Sequence, residues 1–97
     1  MTPYVVTELA ESDLIEIASY IAEDNLAAAE RVLADFKAAF EKLAQMPEMG
    51  HLRLDLAEEE LRFWSVHSYL IIYRPETKPL QVVRVLSGYR DIPELLR

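Results

Sequence analysis

The stretch that most limits the fold is "LRFWSVHSYLIIYR", residues 61–74. It holds two runs rich in β-branched and aromatic residues, 61–66 and 69–74, separated by a single dipeptide. With His67 and Ser68 as a two-residue turn, Val66 faces Tyr69, Trp64 faces Ile71 and Arg62 faces Tyr73. Side-chain alternation puts these six on one face of the hairpin. Leu61, Phe63, Leu70 and Ile72 go to the other face, with Ser65 and Arg74. Both faces are largely apolar, so a chain with this hairpin must cover it twice.

The rest of the chain supplies one cover. "YVV" at 4–6 reads as a short strand, and Thr7 after it as a helix N-cap. Leu14, Ile17, Ala18 and Ile21 then recur at helical spacing. "EDN" at 23–25 breaks that pattern, with Asn25 placed to cap a second helix. Ala29, Val32, Leu33, Phe36, Phe40 and Leu43 form the stripe of this second helix, which Pro47 and Gly50 end. Residues 51–60, "HLRLDLAEEE", read equally as a loop or an irregular strand. "PETKP" at 75–79 is a turn, and "LQVVRVL" at 80–86 a further strand. The order is β-α-α-β-β-β, an α+β domain with a helical hairpin packed on one face of a small sheet. Trp64, Tyr69 and Tyr73 share the face assigned to the helices and are expected in the core. Two helices joined by a three-residue break cover one face only. The opposite face is therefore expected to expose large apolar groups and to bind a protein partner. The alternatives are homodimerisation and closure by the C-terminal "IPELL".

Size and composition narrow the function classes. Ninety-seven residues suit one domain, 1–97, which buries roughly 60–65% of its unfolded surface and is modestly stable on its own. No apolar run approaches the length of a membrane span, and "MTPYVVTEL" lacks a basic stretch leading into an apolar one, so the cytoplasm is expected. With no cysteine there is no disulfide or thiolate chemistry, and His51 and His67 show no paired ligand spacing, so neither metal nor cofactor is expected. The net charge of −7 comes from residues 1–50, which hold ten acids and three bases; residues 51–97 hold seven of each. An acidic chain is a poor general nucleic-acid binder, and no direct contact with nucleic acid is expected. Residues 62–90 nevertheless carry five bases against Glu76 alone.

Four segments carry a family resemblance: "TELAESDLIEIASYIAEDN", "AAFEKLAQMPEMGHLR", "SYLIIYR" and "VVRVLSGYRDIPELL". Together, from about residue 4 to residue 96, they resemble the RelE/ParE superfamily of toxins from bacterial toxin–antitoxin modules, and its ParE branch most closely. The resemblance implies a helical hairpin on a twisted antiparallel sheet. It also implies a ParD-like antitoxin encoded beside the toxin, its C-terminal segment lying along the helices and the open sheet face, and DNA gyrase as the target. Leu61, Phe63, Leu70 and Ile72 become the expected antitoxin contacts.

The RelE branch of the same fold cuts messenger RNA on the ribosome, which needs a base, an acid and cations around the developing phosphorane. The positions that carry lysine, arginine and tyrosine in that branch fall here on Leu61, Phe63, Leu70 and Leu96; only Arg90 remains. Leucine and phenylalanine neither move a proton nor stabilise an oxyanion. A nuclease would have to use His51 or His67 as base with Arg62, Arg84 and Arg90 as cations. The reading adopted is a non-catalytic gyrase blocker, with the ribosome-dependent endoribonuclease and a non-toxic binding module of the same fold as alternatives. Gly88 lets Tyr89 and Arg90 leave the last strand close to Arg62 and Arg84, and these four are the expected target contacts. Two of them carry a structural reading as well: Arg84, mid-strand, needs an acid from the helices if it is buried, and Arg90 can pair with Asp91.

Overall fold

The computed structural model describes residues 3–57, 61–88 and 92–96. Strand β1 is Tyr4–Val6, followed by helices α1, Glu8–Ala22, and α2, Leu26–Gln45. A single 3₁₀ turn, Pro47–Met49, leads into β2, His51–Leu52. Strands β3, Arg62–Val66, β4, Tyr69–Arg74, and β5, Leu80–Ser87, form a meander, and α3, Ile92–Leu95, closes the chain.

Both long helices start where their caps predict. The Thr7 hydroxyl accepts the Ala10 N–H at 3.1 Å, and Asn25 Oδ1 accepts that of Ala28 at 3.0 Å. Glu8 and Glu11 lie in the first turn of α1, where the helix dipole favours negative charge. The helices cover one face of a five-stranded sheet of order β1-β5-β4-β3-β2. Phe36, Phe40 and Leu43 of α2 and Ala10 of α1 meet Ile71, Tyr73, Leu80, Val82 and Val85 in a single buried cluster. Trp64, Val66 and Tyr69 pack against its margin.

The β3–β4 pairing follows the expected register, Val66 with Tyr69, Trp64 with Ile71 and Arg62 with Tyr73. His67 takes φ 56°, the left-handed geometry that a two-residue turn demands. Two features depart from expectation. The sheet is mixed, because β1 runs parallel to β5 through Tyr4–Leu80, Val5–Gln81 and Val6–Val82. Alternation says which face a residue takes but not which strand lies alongside it, so the parallel partner is invisible in "YVV". The second departure is a bulge at Val83: Tyr73 pairs with Val82 while Ile72 pairs with Arg84. The extra residue shifts the alternation, so that Val82 and Val85, three apart, both reach the helix-side core.

The expected bare face is not bare. Leu61, Phe63, Ile72 and Leu86 are buried in a second cluster with Ile92 of the tail, and Leu70 packs against them half-buried. Leu95 and Leu96 of the tail, with Leu56 and Ala57 of the loop after β2, complete the cover. Ile92, Leu95 and Leu96 stand at i, i+3 and i+4, so one helical turn presents all three to the sheet. Full burial of a side chain such as Ile92 contributes about 1.5–3 kcal/mol, and the half-buried Leu95 and Leu96 add less each. "IPELL" thus acts as the second cover, and exposure of Leu61, Phe63, Leu70 and Ile72 is corrected to burial.

Candidate interaction surfaces

Strand β1 protects only the first three residues of the outer edge of β5. Beyond them, α1 takes over. The Thr7 N–H donates to the Val82 carbonyl at 3.1 Å, and the Thr7 hydroxyl donates to the Val83 carbonyl at 2.8 Å. Asp13 Oδ2 accepts the Val85 N–H at 3.0 Å. The same carboxylate receives a two-pronged bond from Arg84, Nε to Oδ2 and Nη2 to Oδ1, both at 2.8 Å. Arg84 Nη1 also donates to the Leu95 carbonyl at 3.4 Å. The side chains are 8% and 14% exposed, and the hydrogen bond to Asp13 raises the guanidinium further above its usual range. Arg84 therefore ties α1, β5 and α3 together. Its expected place on a target-facing basic surface is corrected: the group is spent inside the fold, as its structural reading required.

Arg62 is half-buried and also occupied. Its Nη1 donates to the Gly50 carbonyl at 2.7 Å and to the Glu48 carbonyl at 3.4 Å. These carbonyls belong to "MPEMG", which is organised around one tyrosine. The Tyr73 hydroxyl donates to the Pro47 carbonyl at 2.7 Å and accepts the Gly50 N–H at 2.9 Å. A Cβ on Gly50 would come within 2.8 Å of the Tyr73 ring, which is why glycine closes the motif. Burial raises the Tyr73 phenol above its ordinary value, against weaker opposing effects of the Gly50 N–H and Arg62. Tyr89 and Arg90, the other two expected target contacts, lie outside the described residues, as does the acidic run 58–60.

The two histidines have separate partners. His67 Nε2 lies 2.8 Å from Asp35 Oδ2 on α2, and His51 stacks on Trp64 with ring centroids 6.3 Å apart. Among the described residues no group of three or more histidines and acids could hold a metal ion. No described helix is long and apolar enough to cross a membrane.

With this geometry in place, the comparisons converge. A family model described as "ParE toxin of type II toxin-antitoxin system, parDE" matches residues 4–92. The chain belongs to this ParE toxin family. No curated protein matches it. Among solved structures, a chain of the chromosomal ParDE toxin–antitoxin system from P. aeruginosa is similar, with a TM-score of 0.69 and 20% identity. The match covers 87% of this chain and 92% of the other.

This ParE-family chain lays its helical hairpin on one face of the sheet, and the hairpin continues past the β3–β4 turn. Helix α2 reaches the end of the sheet at Asp35, which meets His67 in the β3–β4 turn, and at Phe36, whose ring lies 5.7 Å from that of Tyr69. Residues 26–34 of α2 precede that level, about 13 Å of helix at 1.5 Å per residue. On this projecting end Tyr20 is 73% exposed and Leu26 65%. Under it, between α1 and the end of β5, runs a groove of about 240 Å³ walled by Glu16, Ile17 and Tyr20 and floored by Tyr69, Val85 and Leu86. Sequence reasoning passed over this surface, although a signal was available: Tyr20 falls outside the Leu14–Ile17–Ala18–Ile21 stripe.

Proposed function

We propose that this ParE-family toxin acts without catalysis, by binding and blocking DNA gyrase in the cytoplasm, and that a ParD-like antitoxin encoded beside it neutralises it. One observation carries the non-catalytic reading. Where the RelE branch places its proton-transfer and cationic groups, this chain has Leu61, Phe63 and Leu70, packed beneath its own tail. Ribosomal RNA would have to unpack the second core to reach those side chains, and among the described residues that core holds no group to move a proton. Arg62 and Arg84 add to this, because their guanidinium groups are bonded to backbone carbonyls and to Asp13. Blocking a target needs only a complementary surface, which a rigid two-sided sandwich can present.

A plasmid supercoiling reaction tests the reading. Purified toxin is expected to inhibit gyrase in a dose-dependent way, and added antitoxin to relieve the inhibition. Unimpaired supercoiling at saturating toxin overturns the gyrase assignment. Cleavage of message in a translating extract would favour the endoribonuclease, and silence in both assays the non-toxic binding module.

A further inference from the structure

Two side chains of the sheet fix four backbone groups of the "MPEMG" turn. Tyr73 takes the Pro47 carbonyl and the Gly50 N–H, and Arg62 the carbonyls of Glu48 and Gly50. Tyr73 is fully buried, so the turn is anchored from beneath. Its other side meets water. Met46 is 54% exposed, and Leu52, paired with Arg62 across β2 and β3, is 48% exposed. Between this turn and Pro75 and Glu76 after β4 lies a cavity of about 600 Å³, more than twice the size of the groove beside β5. Met46 and Met49 line it, and Pro47 and Pro75 stiffen the backbone of its two walls. Glu48 and Glu76 stand one on each wall, both exposed and neither paired among the described residues.

We propose that this cavity is the surface that engages the target, and that it takes a basic segment carrying an aliphatic side chain beside lysine or arginine. The proposal rests on the gyrase reading above and adds to it the toxin surface and the chemistry of the segment it holds. The sheet underside does not serve, because Ile92, Leu95 and Leu96 fill it. Nor does Arg84, bonded as it is to Asp13. The cavity instead joins a fixed frame to an adaptable lining. Because the frame is held before binding, little freedom is lost on contact. Methionine is flexible and polarisable enough to mould itself to an aliphatic guest. Charge then selects the occupant. An enzyme that holds DNA by its phosphates presents lysine and arginine. Glu48 and Glu76 would meet such cations on either side of the guest, with an attraction that weakens as salt rises. Arg62 reaches the same cavity with its Nη1 turned to the Gly50 carbonyl, which leaves the two carboxylates to set the sign of the rim. A second copy brings the same two acids on a chain of net charge −7 and is repelled. The site lies past the C-terminal end of α2, about 30 Å along that helix from Leu26, and is separate from the groove between α1 and β5.

The test is a plasmid supercoiling reaction with the full-length chain, at low and high salt, with binding to gyrase measured alongside by calorimetry. It uses Met46→Ala, the double charge reversal Glu48→Lys/Glu76→Lys, and Ile15→Glu as a control on the exposed face of α1. Met46→Ala is expected to raise the half-inhibitory concentration about tenfold. The double reversal should raise it comparably and flatten the salt dependence, while Ile15→Glu inhibits like the parent and all variants melt with the parent. Parent-like inhibition in both cavity variants overturns the docking site while leaving the gyrase reading intact. So does an equal loss in Ile15→Glu, or a parent self-association that Met46→Ala abolishes, which would give the cavity to a second copy. A loss in Met46→Ala with none, or a gain, in the double reversal overturns the basic chemistry of the occupant. No inhibition by the parent overturns the site and the gyrase reading together.

Discussion

At the scale of single residues, two side chains do more than their positions in the sequence announced. Asp13 sits in the middle of a helix, yet its carboxylate completes the hydrogen bonding of a strand edge and neutralises Arg84. The need for such an acid was legible, because a guanidinium in "VVRVL" requires a partner once buried. Which acid it would be was not, since seven candidates lie on the two helices and nothing local ranks them. Asp13→Ala strips Arg84 of its bonded carboxylate and leaves the Val85 N–H unpaired in a nearly dry site, and should cost about 3 kcal/mol in chemical denaturation. Adding Arg84→Met should recover most of that loss, because removing both charges removes the uncompensated one. Tyr73 gives a second case, with a pH signature. Burial holds its phenol protonated above the ordinary value of 10.0, while in the unfolded chain it ionises near that value. Its contribution is therefore fully present below pH 10 and is lost as pH rises beyond it. Tyr73→Phe should lower stability by about 1–3 kcal/mol at neutral pH, from the two bonds lost to Pro47 and Gly50, and make the alkaline fall shallower in denaturation curves taken across that range.

At the scale of elements, the helices and the β3–β4 hairpin were legible because each declares itself locally. Caps, a periodic stripe and a two-residue turn specify where they begin, which face they bury and how they pair. The bulge at Val83 and the parallel seat of β1 were not, because both depend on which strand lies alongside. The tail is the instructive case. "IPELL" was recognised as able to cross the sheet, but four helical residues carry too short a period to separate that outcome from cover by another protein. The consequence for mutagenesis is a reversal. Phe63→Glu and Ile72→Glu, changes an exposed face would tolerate, should instead unfold the chain, because each puts an unpaired carboxylate into a closed core. Loss of the thermal transition and of soluble yield is the expected outcome; soluble, cooperatively melting variants would mean the underside opens.

At the scale of the whole molecule, the fold is a sandwich with unequal covers. Two long helices protect one face of the sheet, and a single helical turn with part of one loop protects the other. The thinner cover lies over the face that carries Leu61, Phe63 and Leu70, and the acidic helices lie on the opposite side. A chain of 97 residues has little stability to spare, so a partner that binds only the folded state should raise its melting temperature appreciably. Each functional expectation for this chain depends on the underside being interior in the isolated protein. Hydrogen exchange of the free chain, read on peptides covering 61–73 and 92–96, tests that most directly. Slow exchange in both segments, lost together in one cooperative step with denaturant, is the result predicted. Rapid exchange of 92–96 with protection of 61–73 arriving only on antitoxin addition would contradict it, and would return the underside to the partner.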